Sequence, residues 1–130
     1  MDEVFFAIYV NNHVVKHIIL NGRNSTSTNW FEKNRVIVSS WSDLKSSPQK
    51  LCSIVGHSYH KRRFMVNNLY QFCSTDKGWF FAGDTASGHC PWEKKLVLPA
   101  FLYASDNTAA VWGSNAVARA NSIGIFLKYN

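Results

Sequence analysis

Ten consecutive residues, Asp84-Thr85-Ala86-Ser87-Gly88-His89-Cys90-Pro91-Trp92-Glu93, bring together two carboxylates, two hydroxyls, an imidazole and an indole. Sugar recognition uses that mixture. A flat aromatic face covers the apolar C–H side of a pyranose, and carboxylates or amides fix the pattern of its hydroxyls. Asp106, Asn107 and Trp112 offer the same groups in a second loop region. The expected ligand contacts are therefore Asp84, His89, Trp92, Glu93, Asp106, Asn107 and Trp112, with Trp92 stacking on the ligand. The plainer alternative is that Trp92 plugs a sheet end while Glu93 pairs with Lys94 or Lys95.

A second cluster is His57-Ser58-Tyr59-His60-Lys61-Arg62-Arg63. Three consecutive cations, Lys61, Arg62 and Arg63, suit phosphate or sulfate, the arginines through their forked donors. Tyr59 adds a stacking surface for a base or a sugar. Adjacent strand residues face opposite ways, so the two arginines share a ligand only if a strand begins after them. A solvated turn that maintains solubility is the competing explanation.

Metal and enzyme signatures are sparse. His57, His60, His89, Cys52, Cys73 and Cys90 hold enough ligand atoms for zinc, but no C-x-x-C or finger spacing occurs,. His13 and His17 share a strand face with Val15 and Ile19, which reads as core. Asp76, Asp84 and Asp106 are isolated, unlike the oxygen-rich loop that calcium needs. No metal and no cofactor is expected. G-x-S-x-G, Walker, G-x-G-x-x-G and H-E-x-x-H patterns are all missing,. Cys52 with His57 resembles a thiol–imidazole pair only superficially, because Cys52 lies in an apolar run. A small ribonuclease built on His57, His60, His89, Glu93 and Arg62 is the enzymatic alternative. The same inventory fits most basic chains of this size, and no catalytic residue is assigned.

The elements that must position these groups are short and β-rich. The chain has 130 residues, 46% apolar, 15% aromatic and only 17% charged. That composition suits one globular domain with its own core and excludes a disordered tail. No apolar run is long enough for a transmembrane helix. A formal net charge of +6 favours anionic partners such as acidic glycans or nucleic acid,.

Three cysteines are too few for a disulfide-built mini-protein. Cys73 and Cys90 are the expected disulfide because both adjoin turn-rich segments, leaving Cys52 a buried thiol. Asn24-Ser25-Thr26 is a glycosylation sequon,. Met1-Asp2-Glu3 opens acidic, without a signal-peptide pattern, which suits a cytoplasmic protein, a mature form or an excised domain. The disulfide and sequon together lean towards a secreted or extracellular setting.

Residues 3–10 are apolar on both faces, as in a central strand. Asn11-Asn12 reads as a two-residue turn into a second strand at 13–20. Further strands are expected at 35–41, 51–55, 63–70, 78–82, 109–112 and 123–129. A turn occupies 56–61, and one helical turn at 42–47 stops at Pro48. Residues 83–95 form a long loop. Pro99 demotes 96–103 to an edge or bulged strand, and 114–121 reads as a short helix. In the last strand Ile123, Ile125, Leu127 and Tyr129 point inward.

Short strands punctuated by Gly, Asn, Asp and Ser predict an all-β, antiparallel two-sheet sandwich, jelly-roll-like, with a closed or partly open β-barrel as alternative. The function that best fits is a non-enzymatic, lectin-like carbohydrate-binding module favouring acidic glycans. Weak single sites would gain from a homo-oligomer. The rivals are a protein-interaction or adhesion module with tryptophan anchors, and a nucleic-acid-binding protein or ribonuclease.

Overall fold

Asn11 and Asn12 both hold positive φ, 51° and 65°, a conformation asparagine tolerates at little cost. Their turn joins β1 (Glu3–Val10) to β2 (His13–Asn21), the expected hairpin. The computed structural model describes residues 1–48, 51–53, 62–69, 72–83, 90–94 and 97–130, with backbone only at 51–53 and 62–65. The other strands are β3 (Val36–Ser39), β4 (Leu51–Ser53), β5 (Arg62–Leu69), β6 (Lys77–Gly83), β7 (Ala100–Ala104), β8 (Ala110–Val111), β9 (Val117–Ala120) and β10 (Ser122–Lys128). The expected turn at 56–61 lies outside the described residues, as do Asp84, His89 and Lys61.

The strands form the expected antiparallel sandwich. One sheet runs β10-β1-β2-β3 and the other β4-β5-β6-β7-β9. The short β8 pairs with β6 at Lys77 and Gly78, beyond the stretch of β6 that pairs with β7. Among the described residues no barrel closes, and no helix is long and apolar enough to cross a membrane.

The core lies between the sheets. Val4, Phe6 and Ile8 of β1 and Ile18 and Leu20 of β2 meet Trp79, Phe80, Ala82 and Tyr103 of the facing sheet. Phe6 sits 5.0 Å from Phe31 and 5.1 Å from Phe80, edge to face in both cases. Full burial of one such side chain contributes about 1.5–3 kcal/mol. Trp41, between β3 and β4, reaches across the sandwich, its Nε1 donating to the Ala104 carbonyl at 2.9 Å.

Four expectations need correction. The face of β2 with His13, Val15, His17 and Ile19 is not the core face, since the buried residues are Lys16, Ile18 and Leu20. The segment read as a helix at 114–121 holds β9, paired with β7 from Phe101↔Ala120 to Ala104↔Val117. Eight residues are too few to stabilise a helix alone, and ladder bonds to β7 outweigh propensity. Pro99 does not place β7 at an edge. The strand begins at Ala100, after a cis Leu98–Pro99 bond, and runs between β6 and β9. In β10 the expected parity is present, since Ile123 and Ile125 pair with Ile8 and Phe6. Yet β10 is an edge strand, and Ile125 and Leu127 stay 41% and 52% exposed.

Candidate functional site

The outer face of the five-stranded sheet carries a second, smaller core. Phe81 pairs with Leu102 and Leu102 with Arg119, so the three side chains form one row across β6, β7 and β9. Directly paired residues share a face of the sheet. Phe81, Cys90, Trp92, Leu102 and Trp112 pack together there.

The segment around Trp92 is held over this face by two devices. Cys73 and Cys90 form the expected disulfide, with Cα atoms 5.3 Å apart. Closing a loop with their sequence separation of 17 contributes about 3 kcal/mol on a chain-entropy view. Pro91–Glu93 then makes a single 3-10 turn, with Pro91 at its first position, where a missing N–H costs nothing,. Glu93 turns inward and its Oε2 accepts the Cys90 N–H at 2.7 Å.

Trp92 is thereby laid flat on its neighbours. Its ring stands 5.3 Å from Phe81, edge to face, and is stacked on Trp112 at 5.6 Å and 23°. Trp112 donates from Nε1 to Oδ1 of the fully buried Asn67 at 2.7 Å. Trp92 is 7% exposed and Trp112 2%. Neither indole is an open platform, because pairing the rings removes more apolar area from water than leaving either one free.

Beside this small core lies an open cleft of about 700 Å³. Trp92, Trp112 and Leu102 contribute to its floor, and Ser74, Ser114 and Arg119 bring hydroxyls and a cation to it. Gly113 also lines it, and a side chain added there would meet nothing within 4 Å.

Of the sequence-derived contacts among the described residues, Trp92 and Trp112 line this cleft and Glu93, Asp106 and Asn107 do not. Glu93 is buried and committed to the Cys90 backbone. Asp106 and Asn107 sit in the connection from β7 to β8, away from the cleft. The Asp106 carbonyl accepts Lys16 Nζ at 2.9 Å, and the Asn107 carbonyl accepts the Ser42 N–H at 2.8 Å. Arg62 and Arg63 lie within β5, their backbone paired with Gly83 and Ala82.

Sequence reasoning missed Arg119, whose Nη2 donates to the Val97 carbonyl at 2.6 Å. Among the described residues no carboxylate pairs with it. No group of three or more His, Cys, Asp or Glu side chains among those residues is arranged to hold a metal. Comparison with protein-family models, curated proteins and solved structures finds no match to this chain.

Proposed function

We propose that this chain is a non-enzymatic, lectin-like carbohydrate-binding module whose site is the cleft between the Cys73–Cys90 cover and β9. The observation that carries the reading is the composition of that cleft. The narrow exposed edges of Trp92, Trp112 and Leu102 line it beside Ser74, Arg119 and Ser114, whose Oγ donates to the Val111 carbonyl. A pyranose has the same division, one apolar C–H face and a rim of hydroxyls. The small core beneath keeps the floor rigid, so little ordering cost falls on binding. An extracellular setting, where disulfides persist, agrees with this role.

A glycan array probed with the native chain and with Gly113→Trp tests the proposal. Position 113 is exposed and has open space around it, so the new indole fills the cleft without disturbing the core. Binding to a defined set of glycans, lost in Gly113→Trp at an unchanged unfolding midpoint, is the expected result. An empty array, or hits indifferent to Gly113→Trp, overturns the assignment.

One observation favours a second reading, a protein-interaction or adhesion module. β10 pairs with β1 over seven residues without a register shift, and among the described residues no strand pairs with its other side. Its core-side residues are Ile123, Ile125 and Leu127, with no proline, bulge or inward charge to block strand addition,. The partner that fits is a second copy adding its own β10 antiparallel, since one strand then supplies both halves of a two-fold interface. Sedimentation of the native chain beside Ile125→Lys decides it: a dimer lost in the variant supports this reading, and a monomer throughout removes it.

A further inference from the structure

We infer that the cleft continues past Arg119 and that its ligand is a linear acidic glycan, spanning more than one ring, with an anionic group seated on that guanidinium. This rests on the carbohydrate reading above and adds to it the length and charge of the ligand.

The first support is the placement of Arg119. It lies on β9, the edge strand of its sheet, and pairs with Leu102 on the outer face. Among the described residues no further strand covers it. The second is how the guanidinium is held. Nη2 donates to the Val97 carbonyl at 2.6 Å and to the Pro99 carbonyl at 3.5 Å. Carbonyls orient the planar group but do not neutralise it. No other hydrogen bond and no carboxylate among the described residues engages it. An arginine fixed on one side and open on the other presents the donor fork that pairs with a carboxylate or sulfate.

The third support is a second depression of about 430 Å³, lined by residues 97–99 and by Phe101, Arg119, Ala120 and Asn121. Arg119 lines both hollows. Phe101 and Ala120 pair next to Leu102 and Arg119 and so face the other way, which puts the second hollow round the edge of β9 with the guanidinium between the two,. A terminal monosaccharide needs only one hollow. A chain whose rings carry an acid at intervals fills both and places that acid between them. The net charge of +6 works in the same direction by drawing polyanions to the surface,.

The test is calorimetric titration with oligogalacturonates of increasing length, the same oligomers with carboxyls reduced to alcohols, sulfated oligosaccharides of matched length, and a short single-stranded RNA. Longer oligouronates are expected to bind at least tenfold more tightly than the monosaccharide and to lose at least tenfold on carboxyl reduction. Arg119→Gln should reproduce that loss and Arg119→Lys only part of it. Because Arg119 also ties β9 to residues 97–99, Val97→Trp serves as an independent variant. Val97 is 65% exposed, and an indole there fills the second hollow while leaving the carbonyl in place. It should remove the length dependence and spare the shortest ligand.

Tighter binding of the sulfated series, also lost in Arg119→Gln, keeps the proposal and names sulfate as the acid. Equal affinity for native and carboxyl-reduced oligomers, with both lost in Gly113→Trp, overturns the acidic ligand while the sugar site stands. RNA binding without any sugar binding overturns both.

Discussion

Trp112 shows how a single polar atom fixes the role of a large side chain. Its Nε1 gives Asn67 Oδ1 a partner in a fully buried position, and Asn67 Nδ2 has none among the described residues. Trp112→Phe keeps most of the ring contact with Trp92 but leaves the Asn67 amide wholly unsatisfied. An unpaired buried polar group costs about 1–3 kcal/mol, so urea unfolding of Trp112→Phe should show a loss of about 2 kcal/mol. Replacing Asn67 by Leu in the same background should recover part of it. Tyr103 makes a different prediction. Burial disfavours its phenolate and raises its pKa above the ordinary 10.0. A folded pKa above the unfolded one contributes stability that is full below pH 10 and is lost as pH rises through the folded value. Tyr103→Phe should therefore flatten the fall of the unfolding midpoint above pH 10. Absorbance near 295 nm should show a late-ionising tyrosine in the native chain that is missing from Tyr103→Phe.

Elements add constraints that no single residue announces. Gly78 of β6 pairs with Asn67 of β5 where the register shifts, and a Cβ there would lie 2.6 Å from the Val66 carbonyl oxygen. Backbone cannot yield as a flexible side chain does. Gly78→Ala should cost about 3 kcal/mol through overpacking and disturb the Asn67–Trp112 bond as well. Gly113→Ala, with open space around it, should stay within about 0.5 kcal/mol of the native chain by the same urea assay. The same contrast explains what was legible in the sequence. The Asn11-Asn12 hairpin was legible because asparagine itself tolerates positive φ. The disulfide was legible from turn-rich flanks. β9 was not, because its strand character comes from pairing with β7, a partner remote in sequence from residues 114–121. Trp92 and Trp112 were recognisable as important but not as partners, since only the cover held by Cys73–Cys90 brings them face to face. Arg119 carried no signal at all: a lone arginine among alanines gains its meaning from Leu102 across the ladder and from the carbonyls at 97–99.

At the scale of the whole molecule, the sandwich is joined by polar clamps as well as by its core. The segment after β3 crosses towards the other sheet and fastens there through Asp43. Asp43 Oδ1 accepts Trp79 Nε1 at 2.7 Å and Oδ2 accepts the Ala109 N–H at 3.0 Å. Trp41 binds the Ala104 carbonyl, and Lys16 binds the Asp106 carbonyl while its Nζ lies 5.8 Å from the Trp41 ring. Hydrogen bonds to charged groups contribute about 1.5–3 kcal/mol. Asp43→Ala should therefore cost about 3 kcal/mol, because it strands the indole N–H of a fully buried Trp79. Trp79→Phe should cost about 2 kcal/mol by losing ring area and the same bond. Since both single changes delete one shared interaction, the double variant should lose about 1–2 kcal/mol less than their sum. Combining Asp43→Ala with Phe126→Ala, on the far side of the other sheet, should give simple addition. A strictly additive Asp43–Trp79 cycle would mean that their hydrogen bond does not help to join the sheets and that Asp43 merely occupies a turn.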